Sequence, residues 1–207
     1  VCWGKNVYGE GTVPANLREV ISISAGGFHS LALTSNGSLV IWGNNEYGQS
    51  FVPLGLGKLK AADAGYYHTL VLRDNGTVVA WGNNESGQCN VPAELSNVIA
   101  IRAANFYSMA LKSDGTVICW GKNNFGQSQP PPSLNDAKSI RGMQFHSGAI
   151  KNDGSISLWG TNSDGQLDTP DGLTSTNLIN SDFTNANLED SNFINADLRN
   201  ANFSGAN

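Results

Sequence analysis

Cysteine is scarce in this 207-residue sequence: Cys2, Cys89 and Cys119 are odd in number and have no CxxC spacing. Structural zinc sites and disulfide frameworks use closely spaced or paired cysteines, so neither is predicted to hold the fold. Cys2 and Cys119 each precede a Trp-Gly pair and are interpreted as strand residues that pack internally. The GxSxG, HExxH and GxxxxGK motifs are also missing, which favours a protein that is not an enzyme and needs no cofactor or metal.

Long apolar runs are absent too: no stretch approaches the roughly 18 residues of a membrane-spanning helix, so no span is predicted. Charged residues are few, at 14% of the chain, with a net charge of −5. Residues 1–170 hold 12 acidic and 11 basic side chains, whereas residues 171–207 hold 5 and 1. Because nucleic-acid binding requires clustered Lys and Arg, this balance predicts no nucleic-acid partner.

What the sequence does contain is a strict internal repeat. All five tryptophans precede a glycine and follow one another at intervals of 39 residues: Trp3, Trp42, Trp81, Trp120 and Trp159. The same interval separates the turn pairs that begin at Asn36, Asn75, Asp114 and Asp153. A fixed period of roughly 20 to 50 residues is typical of solenoids and propellers.

Each repeat unit has the pattern of a small antiparallel sheet. Val20 to Ala25 and His29 to Thr34 are apolar or alternating, and Asn36-Gly37 then turns the chain into Ser38 to Trp42. Asn-Gly between apolar runs predicts a tight hairpin, because both residues tolerate a positive φ. The segment from Gly48 to Pro53 is predicted to be extended, either as a short edge strand or as a crossing to the next unit.

The unit HSLALTSNGSLVIWGNNEYGQSFVP and its copies resemble the bacterial form of the regulator-of-chromosome-condensation repeat. The resemblance implies an all-β fold, a β-propeller that is commonly seven-bladed, over residues 1–170. The compact unit is similar to that of the β-lactamase inhibitory proteins of the second type. Tyr107 replaces a histidine, and Ala104 and Met143 replace glycines. These departures are expected to change individual loops and not the fold.

The repeat parts do not add up to whole blades. There are five Trp-Gly strands but only four copies of the two strands that precede them, which predicts four complete blades plus one orphan strand at Trp3. Propellers close by bringing the first and last blades together. We therefore expect either a piece of a longer protein with further blades upstream, or an open arc whose end needs covering.

After Pro170 the period changes to five. A Leu or Phe recurs at every fifth position, and from Leu178 onward each is preceded by a small residue and an Asn or Asp: Leu173, Leu178, Phe183, Leu188, Phe193, Leu198 and Phe203. This pattern resembles the pentapeptide-repeat family and implies a right-handed quadrilateral β-helix over residues 171–207, with four pentapeptides per coil and about two coils. So short a stack is expected to need a neighbour, either the last blade or a continuation beyond Asn207.

The histidines His29, His68 and His146 share one repeat position, which Tyr107 fills in the third unit. A residue that recurs once per blade usually serves packing or hydrogen bonding, and we interpret the histidines in that way. A ring of metal ligands around the axis is the alternative, which Tyr107 weakens. The Asn-rich loops lack the alternating carboxylates of calcium sites and are interpreted as turns.

Binding residues are predicted where the repeat is broken, because every blade needs the invariant positions. Aromatic side chains on a rigid scaffold supply contact area at low entropic cost. The alternative role of such aromatic side chains is to fill gaps between blades. Five loop aromatics at variable positions are the candidate partner-binding residues: Tyr8, Tyr47, Phe51, Tyr66 and Phe125.

These features favour a non-enzymatic scaffold whose protein partner docks on the propeller loops, in an extracellular or cell-surface protein. Inhibition of β-lactamase is one version, by analogy of fold alone. The eukaryotic relatives of the repeat imply a guanine-nucleotide exchange factor or a chromatin-binding protein as an alternative. The aromatic and Asn-rich loops leave a carbohydrate-binding, lectin-like propeller open as another. Imitation of DNA by the acidic tail would require many more coils than two.

Overall fold

A computed structural model describes residues 4–168, 182, 184 and 200–204 of the chain. All regular structure in these residues is β-strand, arranged as four three-stranded antiparallel sheets. We call these sheets blades 1 to 4, and they confirm the predicted all-β propeller architecture. No described element is a helix long and apolar enough to cross a membrane.

The strands follow one another in each blade in chain order. Blade 1 contains β1 (Val20–Ala25), β2 (His29–Thr34) and β3 (Leu39–Gly43). Blade 2 contains β4 (Leu59–Ala64), β5 (His68–Arg73) and β6 (Val78–Gly82). Blade 3 contains β7 (Val98–Ala103), β8 (Tyr107–Lys112) and β9 (Val117–Gly121). Blade 4 contains β10 (Ala137–Gly142), β11 (His146–Lys151) and β12 (Ile156–Gly160).

The predicted hairpins form at the Asn-Gly and Asp-Gly pairs. In blade 1, Gly37 has a φ of 82°, and its N–H donates to the Thr34 carbonyl at 2.9 Å. The Asn36 side chain accepts the Ser38 N–H at 2.9 Å, which closes the turn from the other side. Glycine adopts this φ without steric cost, so the turn fixes the register of β2 against β3.

The segment from Gly48 to Pro53 is a crossing and not an edge strand. Its residues form a turn followed by an unpaired connection that leads from β3 to β4. The side chain of Gln49 is fully buried in this crossing. Each blade therefore has three strands, and the fourth piece of the unit joins one blade to the next.

The core lies between the blades. Leu31 and Leu33 of blade 1 pack against Leu59 and Ala62 of blade 2 in one cluster of buried residues. Two further clusters join blades 2 and 3 and blades 3 and 4 at equivalent positions. A three-stranded sheet cannot cover its own apolar faces, so each blade depends on its neighbours for burial.

Two sequence predictions fall mainly outside the described residues. The orphan strand at Trp3 lies outside them, as does most of the predicted pentapeptide β-helix. Within the described part of the tail, Asp182 and Asn202 form a parallel β-bridge, and the Asn202 amide donates to the Thr184 hydroxyl at 2.8 Å. The bridged residues are four pentapeptides apart, which is the separation expected of stacked positions in a four-sided coil.

Candidate functional site

One backbone carbonyl per crossing joins successive blades. The carbonyl oxygen of Gln49 accepts two hydrogen bonds from blade 2, from Trp81 Nε1 at 3.1 Å and from Thr69 Oγ1 at 2.9 Å. In the other units a tryptophan and a serine hydroxyl at the equivalent positions donate to the carbonyls of Glu10, Gln88 and Gln127. We call this arrangement the carbonyl hub, and it explains why each unit carries a tryptophan.

The glutamine side chain holds the crossing in shape. Gln49 Oε1 accepts the Tyr47 N–H at 2.9 Å, and Gln49 Nε2 donates to Asn44 Oδ1 at 2.6 Å. Gln88 makes the equivalent bonds with Ser86 and Asn83. Buried amides need such partners, and here the partners lie within the same turn. The Asn-rich loops are thus turns, as the sequence predicts.

The repeated histidines extend the hub. His29 Nε2 lies 3.1 Å from Thr69 Oγ1, and His68 Nε2 lies 3.0 Å from Ser108 Oγ. Because the Thr69 hydroxyl gives its only proton to the Gln49 carbonyl, His29 must donate through Nε2. Burial lowers the pKa of His29 to about 4 and that of His68 to about 3, so both rings are neutral at pH 7.

In the third unit Tyr107 takes the role of these histidines. Its hydroxyl lies 2.6 Å from Ser147 Oγ and donates to the His146 carbonyl at 2.9 Å. At His29, His68 and Tyr107 this repeated position therefore makes hydrogen bonds between units, which agrees with its interpretation as a structural position. Among the described residues there is no group of three or more His, Cys, Asp or Glu placed to hold a metal ion.

Replacing Thr69 with valine is expected to lower the free energy of unfolding by about 2 kcal/mol, because the buried His29 N–H loses its acceptor while the shape is kept. Urea denaturation followed by tryptophan fluorescence measures the change. Thr77→Val is the matched control, since the Thr77 hydroxyl is exposed and bonds only to the Asn75 side chain. The control should stay within about 0.5 kcal/mol of the parent chain. Equal effects of the two substitutions would contradict the hub.

Aromatic rings cover one end of the blades. At this end, the loop between the first and second strands of each blade meets the turn of a crossing. The two loops are tied together, since the Asn44 N–H donates to the Phe28 carbonyl at 2.8 Å. Six rings there form one contact network, with centroids 4.8 to 5.6 Å apart. We call this network the aromatic surface, and its members are Tyr8, Phe28, Tyr47, Tyr66, Tyr67 and Phe106.

Tyr66 lies at the centre of the aromatic surface. Its ring contacts Phe28, Tyr67 and Phe106 at 5.3, 4.8 and 5.4 Å. A Cβ at Gly27 would lie 2.8 Å from the Tyr66 ring, so the missing side chain in blade 1 makes room for the tyrosine of blade 2. Gly27 and Tyr66, which share one repeat position in successive units, are therefore in direct contact, and the small size of one accommodates the other.

Two lysines lie beside the aromatic surface. Lys5 Nζ lies 5.7 Å from the centroid of Phe28, and Lys122 Nζ lies 5.1 Å from that of Phe106. Desolvation and the neighbouring tyrosines raise the pKa of Tyr67. Tyr67 therefore stays neutral at physiological pH, and the two lysines place positive charge beside Phe28 and Phe106.

Three of the five predicted binding residues, Tyr8, Tyr47 and Tyr66, belong to the aromatic surface. Phe125 forms a separate edge-to-face pair with Phe145, at 5.1 Å. Phe51 lies apart, 66% exposed and without a ring contact among the described residues.

The sequence prediction missed Phe28, Tyr67 and Phe106 as surface residues. Their signal was present, because each of them directly precedes the repeated histidine position.

Four sheets joined by repeated crossings define a β-propeller built from tandem repeats. The family model of the regulator of chromosome condensation (RCC1) repeat matches residues 20–49, 60–88 and 98–127, and that of pentapeptide repeats matches residues 173–207. A search of curated protein sequences finds no match.

Solved structures confirm the class of fold. The ectodomain of the Physcomitrella patens receptor kinase CR4 has a TM-score of 0.64 and 25% identity, over 77% of this chain and 46% of that one. Prp20p of Saccharomyces cerevisiae has a TM-score of 0.62 and 22% identity, over 73% and 46%. The ectodomain of the Arabidopsis thaliana receptor kinase ACR4 has a TM-score of 0.61 and 24% identity, over 76% and 60%. The chain thus spans about half the length of the first two structures.

Proposed function

We propose that this chain is a non-enzymatic scaffold that binds a protein partner on its aromatic surface. The observation that carries the proposal is the continuity of six rings on the loop end of blades 1 to 3. Tyr8 and Tyr47 remain 48% and 40% exposed within that network. Large aromatic side chains that are held in place by their neighbours are the residues on which binding energy concentrates in protein interfaces.

The repeat class supports a protein partner at a coarse level. Propellers of this kind are commonly protein-interaction scaffolds, and Prp20p binds Gsp1p and histones. Neither the charge nor the loops of this chain favour the nucleotide-exchange or chromatin-binding alternative. Residues 1–170 are nearly neutral, so a histone or nucleic-acid partner would gain little from electrostatic attraction.

Tyr47→Ala and Tyr66→Ala are each expected to weaken partner binding at least about tenfold, a loss of about 1.4 kcal/mol. The chain is immobilised and used to capture a partner from an extract of the cells that produce the chain. The captured partner is identified by mass spectrometry. The dissociation constant is then measured with the purified partner. Circular dichroism shows whether each variant keeps its fold.

Phe51→Ala is the matched control, because this exposed aromatic lies outside the aromatic surface. The control should bind the partner as the parent chain does. If both tyrosine variants bind the partner with full affinity, the aromatic surface is not the binding site. Binding of a glycan on an array, lost in the same variants and without any protein partner, would instead favour the lectin-like alternative.

A further inference from the structure

One repeat position on the first strand of each blade holds a different polar residue or charge as the chain proceeds. The first strands of neighbouring blades lie against one another, β1 against β4, β4 against β7 and β7 against β10, so they border the axis of the propeller. We call this position the inner column, and it is the penultimate residue of each first strand: Ser24, Asp63, Arg102 and Arg141.

In blades 1 and 2 the inner column holds each blade to the next one. The Ser24 hydroxyl donates to Asp63 Oδ1 at 2.6 Å and accepts the Ala64 N–H at 3.1 Å. Asp63 Oδ2 accepts the Ala103 N–H of blade 3 at 2.9 Å. The Asp63 side chain is only 15% exposed, so its carboxylate is occupied by contacts between blades.

The two arginines of the inner column are neighbours in space. Arg102 Nε donates to the Ile140 carbonyl oxygen at 3.4 Å, and Arg141 Nη1 donates to the same oxygen at 2.8 Å. Because both guanidinium groups contact one oxygen atom, their two positive charges lie close together. Such a pair repels itself, and an anion placed beside it removes the repulsion.

The Asp63 carboxylate balances only one of these two charges. Arg102 Nη1 lies 3.9 Å from Asp63 Oδ2, which is the oxygen that also accepts the Ala103 N–H. Arg141 is exposed, and within residues 4–168 it forms no ion pair. The pair therefore keeps one positive charge that no carboxylate in this part of the chain neutralises.

We propose that Arg102 and Arg141 bind a carboxylate group, the side chain of an Asp or Glu of the protein partner. A guanidinium presents its N–H donors as a planar fork that matches the two oxygens of a carboxylate, and two neighbouring forks can share one such group. A phosphate dianion fits less well, because Asp63 already supplies one negative charge at this site.

The arginine pair lies at the end of the blades that carries the aromatic surface. β7 and β10 each continue for one residue after their arginine and then enter the loop between the first and second strands, which in blade 3 contains Phe106. A partner that covers the aromatic surface meets the arginines on its axial side. The inference thus rests on the proposed function, and it adds that the partner carries an acidic side chain beside its apolar contact residues.

Acetate is the probe for the isolated site, followed by NMR through the Nε–H resonances of the arginines. The signals of Arg102 and Arg141 should shift together, with one dissociation constant at least about fivefold lower than that of Arg18 in the same spectrum. Arg18 is the matched control, because its Nη1 also donates to backbone carbonyls, those of Ala15 and Leu17 at 2.9 and 2.8 Å.

Arg141→Gln should reduce the acetate affinity of Arg102 to that of Arg18. The fold should be unaffected, because Arg141 is exposed and its hydrogen bond goes to the residue before it, so the melting temperature should match that of the parent chain. Equal acetate affinity at all three arginines of the parent chain would overturn the proposal. So would inorganic phosphate that binds the pair more tightly than acetate at the same ionic strength.

The purified partner separates this inference from the proposed function. Arg141→Gln should weaken partner binding at least about tenfold, whereas Arg18→Gln should leave it unchanged. If Tyr47→Ala weakens binding and Arg141→Gln does not, the partner uses the aromatic surface and the arginine site is wrong. If Arg141→Gln alone weakens binding, the carboxylate site stands and the aromatic surface is not the binding site.

Discussion

Gly65→Ala is expected to lower the free energy of unfolding by about 3 kcal/mol, through overpacking of a buried contact between blades. A Cβ at this position would overlap the imidazole ring of His68 and lie 2.7 Å from the Ala104 carbonyl oxygen. Neither neighbour can give way cheaply, because His68 is fully buried and bonded to Ser108, and the Ala104 carbonyl is backbone. Urea denaturation followed by tryptophan fluorescence measures the loss.

The third unit supplies the control for this substitution. There Ala104 stands in place of Gly65 and Tyr107 in place of His68, and both are buried without a clash. The double variant Gly65→Ala, His68→Tyr copies that pair and should recover part of the lost stability. A single Gly65→Ala variant within about 1 kcal/mol of the parent chain would show that the loop relaxes freely, contrary to this account.

Acid is expected to destabilise the propeller between pH 6.5 and about pH 4, well above the range where most carboxylates titrate. The pKa of His29 falls from 6.5 to about 4 on burial, so the unfolded chain binds more protons than the folded one in this window. Stability is therefore complete above pH 6.5 and is lost as the pH falls. The loss from His29 alone is on the order of 3 kcal/mol, and His68 adds to it in the same direction.

The double variant His29→Gln, His68→Gln isolates this effect. Glutamine can still donate an N–H to the Thr69 and Ser108 hydroxyls, but it does not titrate. Its free energy of unfolding, measured at a series of pH values, should change much less between pH 6.5 and 4. Asp114 and Asp153 have lowered pKa values too, but their contribution begins below their ordinary value of 3.8. An unchanged pH profile in the double variant would exclude the histidines as the cause.

The blades could be predicted from the sequence because their signals are local. The Asn-Gly pair at Asn36 and the flanking apolar runs are enough to place β2 and β3, and the predicted strand from Ser38 to Trp42 differs from β3 by one residue at each end. The fixed interval between tryptophans then extends the prediction from one blade to all four. Periodicity and turn chemistry therefore determine most of the fold.

The hub could not be predicted, because its partners lie in different units. The repetition of Gln49 is visible in the sequence, but the donors to its carbonyl are 20 and 32 residues away. Every residue type has a backbone carbonyl, so the acceptor cannot be identified from the sequence. Only the donor side chains of Thr69 and Trp81 depend on residue type.

The aromatic surface was half predicted. The variable positions predict Tyr8, Tyr47 and Tyr66 as binding residues, whereas Phe28 occupies a repeated aromatic position and is not predicted to bind. Phe28 contacts Tyr8 and Tyr66 because two loops meet that are about half a repeat unit apart in the sequence. The hydrogen bond from the Asn44 N–H to the Phe28 carbonyl joins these loops, and it is visible only in the three-dimensional structure.

The direction of the hub bonds has a consequence for how the chain is made. Each tryptophan donates to a carbonyl 32 residues nearer the N-terminus, so its acceptor has already left the ribosome when the tryptophan emerges. A nascent blade can thus complete its hub without waiting for later residues. Synthesis and assembly then proceed in the same direction, and a partly made chain exposes one unfinished blade at a time.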